Sequence, residues 1–417
     1  MFTRYLAAGA LCLAIVIGIL PGSVGSAAPR SAAYKLRLSW DLMPGAVTYH
    51  VLFFAGTETK TAPPVAQYRD ISAPGLELDM RALPEQALTG YWLAQGVDRE
   101  GRAVGESVLR PLRTAEMAPT APLILDDYKG MAYLPVYPVY AWVPVLNASS
   151  YEVEVWREPD TARGKAERVR HFYTYESVLY DEAGLRLVGH YWWRVRALDG
   201  EGRGYSDWSA PTPWQINAPT PVAALGDSIT HGGGAISTPP CRTLYDWETY
   251  ATIPVKNIGF SGDTAAAMAD RFEADVLPFK PRLLVIMGGV NDFRSGTPAA
   301  VTIRFLRQIA DKCRAYGITP VFVTATPINP QRMAGSFGME EAAANWQRNQ
   351  RQINDWIMAQ PYAVDVTGAL TDEHGDLRSD YTADGLHPDY EAKRYIGETI
   401  GRYVTTHFPT ITDKVGT

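Results

Sequence analysis

Residues 221–234 read PVAALGDSITHGGG. Four apolar residues, Val222-Ala223-Ala224-Leu225, stop at Gly226-Asp227-Ser228 and run on into glycines. The pattern predicts a buried strand whose carboxyl end hands a hydroxyl, Ser228, to a turn that opens a helix. Open α/β sheets bind ligands beyond the carboxyl ends of their strands. A serine there does chemistry only beside a base, and the base needs a group to orient it. Asp384-Gly385-Leu386-His387-Pro388 offers both within four residues.

Outward from that strand, β and α signals alternate. Strands are expected at 222–226, 254–258, 283–288, 320–326 and 363–367. Thr297-Pro298 reads as a cap and first-turn proline for a helix with Val301, Phe305, Ile309 and Cys313 on one face, closed by Gly317. Trp346, Ile353, Trp356 and Ile357 recur at helical spacing in 339–359, as do Tyr395, Ile396 and Ile400 in a last helix near 390–403. Alternation of this kind implies a parallel, doubly wound sheet over 219–410.

Upstream the period changes. Leu36-x-Leu38-x-Trp40, Tyr49-x-Val51-x-Phe53 and Tyr91-Trp92 alternate between Pro, Gly and Asp clusters. That argues an all-β sandwich over 34–116. Residues 117–218 repeat it: Trp142 precedes Tyr151 as Trp40 precedes Tyr49, and Asp98-Arg99-Glu100-Gly101-Arg102 returns as Asp199-Gly200-Glu201-Gly202-Arg203. The period of about one hundred residues is that of one sandwich domain. Trp40, Trp142 and Trp192 are read as core. Pro211-Thr212-Pro213 and Ala218-Pro219-Thr220-Pro221 make a stiff junction.

Residues 1–27 read as an export signal: Arg4, an apolar run from Leu6 to Leu20, then Pro21-Gly22 and small residues up to Ala27. The run is shorter than the ~20 residues of a membrane-spanning helix. A secreted, periplasmic or cell-surface protein is expected, with no stable membrane insertion after cleavage. A net charge of −6 on 417 residues supplies no basic footprint for nucleic acid. Cys241 and Cys313, left after cleavage, either pair or stay apart. No HExxH, paired CxxC or phosphate-binding glycine loop is found, so neither metal nor cofactor is expected. Asp372-Glu373-His374 reads as a solvated loop.

Four segments line up at strand ends: Gly226-Asp227-Ser228, Asn257 to Thr264, Gly288-Gly289-Val290-Asn291-Asp292, and Asp384-x-x-His387-Pro388. In these blocks the sequence resembles the SGNH hydrolases, the GDSL-type esterases and lipases. The resemblance covers roughly 221–405 and implies a three-layer, flavodoxin-like domain. It implies a catalytic triad of Ser228, His387 and Asp384, and an oxyanion hole from the N–H groups of Ser228 and Gly259 and the side chain of Asn291. Asp227 is read as supporting the turn. His231 either lines the pocket or is a solvated loop histidine. Cys241 and Arg242 fall near the pocket mouth, Arg242 as a surface residue or a contact for an anionic substrate. The two upstream repeats resemble fibronectin type III-like domains, and Tyr205-Ser206-Asp207-Trp208-Ser209 resembles a degenerate tryptophan–serine motif of that superfamily. Together these imply an exported serine esterase acting on small-molecule or polysaccharide esters, short acyl groups first. Two alternatives stand beside it: a lysophospholipase or thioesterase, and a surface binding protein without turnover.

Overall fold

The computed structural model describes residues 34–56, 60, 62–112, 121–161, 164–234, 242–336 and 340–411. The signal-like leader and Cys241 lie outside them. The chain divides into two compact units. The first holds the described residues up to 122 together with 143–148 and 205–207. The second holds the described residues of 123–142, 149–204 and from 208 onward.

In the first unit, β1 (Lys35–Ser39) pairs with β4 (Gly75–Asp79). The other sheet has the order β3 (Ala66–Ile71), β2 (Thr48–Phe54), β5 (Tyr91–Val97), β6 (Ala103–Glu106), with β7 (Arg110–Pro111) also on β5 and a one-turn α1 (Glu85–Leu88) before it. Leu36, Leu38 and Leu78 from one sheet and Tyr49, Val51, Phe53, Trp92 and Ala94 from the other share one core. Buried residues alternate along β1 and most of β2, as a pleat facing a second sheet requires.

The second unit opens with the same design. β8 (Val139–Ala141) pairs with β11 (Val178–Tyr180), and the larger sheet runs β10 (Glu167–Thr174), β9 (Ser150–Arg157), β12 (Gly189–Leu198), β13 (Thr212–Ile216). The repeat legible in the sequence holds in detail. Trp40 meets Tyr49 edge-on at 5.4 Å and 64°, and Trp142 meets Tyr151 at 5.0 Å and 62°. Asp98 and Asp199 each accept the backbone N–H four residues on, at 2.8 and 2.9 Å.

One expectation for the core fails by a single residue. Trp193 is fully buried, whereas Trp192 points outward and stacks on Trp156 at 5.3 Å. Neighbours in a strand face opposite sides, and Tyr191, Trp193, Val195 and Ala197 hold the inner phase. The outer face is a ladder of rings and guanidinium groups: Arg194 and Arg196 lie over Trp208, and Arg168 over Trp156. Those cations occupy ring faces that a sugar would stack on.

The rest of the second unit is a five-stranded, all-parallel sheet in the order β15 (Lys256–Gly259), β14 (Val222–Gly226), β16 (Leu283–Met287), β17 (Thr319–Val323), β18 (Ala363–Val364). β14 to β16 are buried along their whole length, which explains the continuous apolar runs of β14 and β16, while β15 buries Lys256 and Asn257. The helices are α2 (Ser228–His231), α3 (Ala265–Asp270), α4 (Phe272–Val276), α5 (Val290–Arg294), α6 (Ala299–Ala315), α7 (Pro330–Ala334), α8 (Trp346–Met358) and α9 (Tyr390–His407). Pro298 stands at the cap of α6 rather than in its first turn. Gly317 ends that helix in the left-handed region, and the next N–H, of Ile318, returns to Cys313 O at 2.8 Å. The C-terminal domain is thus a flavodoxin-like α/β fold behind a β-sandwich region.

The edge strand β15 is not bare. The segment leading into β8 runs beside it, with Val136 N–H donating to Asn257 O at 3.0 Å and Lys256 Nζ donating to Leu134 O at 2.5 Å. The Pro-rich junction is also packed, Thr220 N–H reaching Phe279 O at 2.9 Å.

Candidate active site

β14 delivers the elbow. Asp227 caps α2, its Oδ1 accepting the Ile229 N–H at 3.0 Å. Its Oδ2 is buried without a hydrogen-bond partner among the described residues, and burial pushes the carboxyl up to about 7. Asn257 braces the helix from β15: its Nδ2 donates to Thr230 O at 2.6 Å while its Oδ1 accepts the Gly259 N–H at 2.9 Å. A Cβ at Gly259 would lie 2.4 Å from the His231 nitrogen, so glycine lets strand and helix touch. On the opposite side Lys393 of α9, fully buried, donates to Ile229 O and Tyr245 O at 2.7 and 2.6 Å.

The structure brings Ser228, His387 and Asp384 into one line. His387 Nε2 lies 2.8 Å from Ser228 Oγ, and His387 Nδ1 lies 2.7 Å from Asp384 Oδ2. A carboxylate only accepts, so the imidazole proton sits on Nδ1 and the Nε2 lone pair faces the hydroxyl. Asp384 Oδ1 accepts the N–H groups of Leu386 and His387, both at 2.8 Å. Burial works to raise the Asp384 carboxyl, but His387 and these N–H groups outweigh it and hold it at about 2. Gly233 lies against the ring, where a Cβ would meet His387 Cδ2 at 2.8 Å.

Asn291 opens α5 beside them. Its Oδ1 accepts Arg294 Nε at 3.1 Å and its Nδ2 donates to Asp263 O at 2.9 Å, leaving the second amide proton over. Gly259 behaves differently from expectation: its N–H is taken by Asn257. Three residues on, Gly262 has φ +90° and an N–H with no partner among the described residues. The Ser228 N–H is also without one.

Two further expectations are corrected. His231 is not solvated; it is buried, with Nε2 2.7 Å from Tyr137 O and Nδ1 3.0 Å from Ser261 Oγ. Arg242 is buried too, 3.8 Å from the Asp127 carboxylate, which holds it inside rather than at the surface. Asp372-Glu373-His374 stays an exposed loop around Glu373 and His374. Among the described residues, Glu152, Glu154 and His171 are close enough to share a metal ion, but Arg168, Arg194 and Arg196 already pair with the two carboxylates. Sequence reasoning missed Asn257, Arg271 and Lys393. Lys393 did carry a signal: it stands three residues before Ile396 and seven before Ile400, on the stripe of α9 that faces inward.

A serine, an imidazole and a carboxylate in line at a strand end define a serine-hydrolase type of site. The sequence model of the GDSL-like lipase/acylhydrolase family matches residues 224–394, and that stretch is a domain of the family. An uncharacterized lipoprotein of Bacillus subtilis (strain 168), YqeF, is 29% identical over 149 residues, 31% of this chain and 51% of that protein. The chain thus spans about half the length of the curated relative it matches. Among solved structures, a GDSL-like lipase from Bacteroides thetaiotaomicron is similar at 22% identity and TM-score 0.37, over 45% of this chain and 88% of that one. The acetylxylan esterase Axe2 from Geobacillus stearothermophilus is similar at 19% identity and TM-score 0.34, over 44% and 93%.

Proposed function

We propose that the protein is an exported carboxylic ester hydrolase that works through a covalent acyl-enzyme. The observation that carries this reading is the unbroken line from Asp384 Oδ2 through the His387 ring to Ser228 Oγ, with spans of 2.7 and 2.8 Å. Ser228 Oγ attacks the ester carbonyl carbon as His387 Nε2 takes its proton, and Asp384 stabilises the imidazolium. The charge on the former carbonyl oxygen meets the N–H groups of Ser228 and Gly262 and the spare amide proton of Asn291. Gly262 stands in for Gly259, whose own N–H is engaged. Each donor is worth about 3 kcal/mol in sites of this kind. Collapse breaks the ester C–O bond, and His387 returns the proton to the departing alkoxide. Water then repeats the sequence on the acyl-enzyme, releasing the acid and restoring the serine.

The leader over 1–27 supports export, and so does the lipoprotein relative. The substrate is proposed to be a short acyl ester, acetyl first, carried on carbohydrate. In support, the sequence around the four blocks holds no long apolar loop to line a lipid tunnel. The test is hydrolysis of p-nitrophenyl esters from C2 to C12 by residues 28–417, beside Ser228→Ala. Short esters should be cut fastest, and the variant should lose several orders of magnitude. A maximum at C8 or longer would replace the carbohydrate reading with a lipase one. No turnover of any ester by folded protein would refute the esterase itself.

A further inference from the structure

The second β-sandwich touches the catalytic machinery through charged, buried groups rather than through a passive apolar seam. Asp275 of α4 is completely buried. Its Oδ1 accepts Arg186 Nε at 2.5 Å, and its Oδ2 accepts the Tyr137 hydroxyl at 2.5 Å and Arg271 Nη1 at 2.9 Å. Arg186 also donates to the Tyr137 hydroxyl at 2.8 Å. Arg271 continues inward, donating Nε to Asp263 Oδ2 at 2.5 Å and reaching Ile258 O and Gly226 O at 2.8 and 3.0 Å. The carbonyl of Asp263 receives the Asn291 amide. A second arm leaves the same sandwich residue: Tyr137 O accepts from His231 Nε2, whose Nδ1 then accepts from Ser261 Oγ. Both arms end on residues 261–263, the loop that carries Gly262.

We propose that Tyr137 and Arg186 are positioning residues for catalysis, setting the loop 261–263 and with it the Asn291 amide through Asp275, Arg271 and His231. This rests on the reading of Ser228 and Asn291 given above. The charge arithmetic shows why the sandwich matters. Two carboxylates, Asp263 and Asp275, face two guanidinium groups, Arg271 and Arg186. Without Arg186 both carboxylates share Arg271, in a buried setting where unpaired charge is costly. Asp263 is the weaker holder, because Arg271 is its one ion-pair partner among the described residues, whereas Asp275 keeps the Tyr137 hydroxyl as well. Its carbonyl then loosens, and the Asn291 amide loses its fixed direction. Tyr137→Phe removes one donor to Asp275 while keeping the ring that packs on Phe260 at 4.8 Å.

In full-length protein acting on p-nitrophenyl acetate, Arg186→Ala should lower kcat about tenfold with KM within about twofold. That is part of the loss of about a hundredfold or more that follows outright removal of such a donor. Arg186→Lys should recover more than half of the deficit on a logarithmic scale. On an Asn291→Ala background Arg186→Ala should cost less than about threefold, because the group it positions is already gone. Equal costs on the two backgrounds, or a change confined to KM, would overturn the proposal. Hydrogen exchange of the 261–266 amides supplies a readout independent of turnover. It should quicken in Arg186→Ala while β16 stays protected, and an unchanged rate would overturn the coupling. Wild-type turnover in Ser228→Ala would refute the esterase reading instead, and the exchange measurement would still decide whether the sandwich sets this loop.

Discussion

Replacing Asp384 by asparagine separates the geometry of the site from its charge. Asp384 Oδ1 accepts two backbone N–H groups at 2.8 Å, and only Oδ2 faces His387, at 2.7 Å. Those two donors decide how an amide would sit. Its carbonyl oxygen must take the Oδ1 place, so its NH₂ takes the Oδ2 place and donates to Nδ1. His387 is then held with its proton on Nε2, which donates to Ser228 Oγ instead of accepting from it. The base is lost with hardly an atom moved. A tautomer switch of this kind costs about 10⁴ in kcat, or ~5 kcal/mol of transition-state stabilisation. The carboxyl also stabilises the fold, because its pKa is held at about 2 against an ordinary 3.8. That contribution is about 2 kcal/mol, fully present above pH 4 and lost as the pH falls through 2. The assay is initial rates on p-nitrophenyl acetate at pH 7.5, with Asp384→Ala in parallel. Alanine frees the ring to exchange tautomers, so it should retain more activity than asparagine. Asparagine matching or exceeding alanine, or retaining a tenth of wild-type kcat, would refute the tautomer argument.

Three other outcomes are expected. Burial lowers His231 to about 4 from 6.5, so the unfolded chain takes up its proton first and the native state loses about 3 kcal/mol as pH falls from 6.5 to 4. Urea unfolding of wild type and His231→Gln at pH 7.5 and 4.5 checks this: an advantage of wild type at the higher pH should shrink at the lower. Gly259→Ala drives a Cβ to 2.4 Å from the His231 nitrogen and should destabilise by about 1–3 kcal/mol while cutting kcat, read by thermal unfolding and turnover together. The Cys313 thiol is buried and pushed up to about 12 by burial, so native protein at pH 8 should leave it unalkylated by iodoacetamide while urea-unfolded protein reacts fully, as peptide mass analysis will show.

The parts of this molecule legible in the sequence are those whose partners are close in the chain or marked by period. Asp384 and His387 share one turn, Ser228 follows an unmistakable apolar strand, and the sandwich repeat shows in Trp40 and Trp142. The bracing groups are different in kind. Asn257 reaches Thr230, Arg271 reaches Gly226, and Tyr137 reaches Asp275, each across a fold that only tertiary packing creates. A buried arginine such as Arg271 is indistinguishable in sequence from a solvated one until its counter-charge is located, whereas Lys393 stands on the inward stripe of α9. Trp192 was a matter of phase: Tyr191, Trp193, Val195 and Ala197 make the better apolar alternation, and the inner face follows that set. Gly259 was a matter of competition, since Asn257 two residues earlier claims its N–H.

The segment at Leu134–Val136 that lies along β15 has a consequence for how the chain matures. A bare outer strand invites pairing with another chain, and nascent proteins meet that hazard before they finish folding. Here the cover precedes the strand in synthesis by more than one hundred residues, so the sandwich can be complete when Lys256–Gly259 emerges. The catalytic half then condenses onto a prepared flank. Cutting the chain at the Pro-rich junction yields a piece that looks whole in sequence but is born with an open seam. Swapping the sandwich for another of the same family would leave the same gap unless the incoming module brought an equivalent of Val136 to meet Asn257.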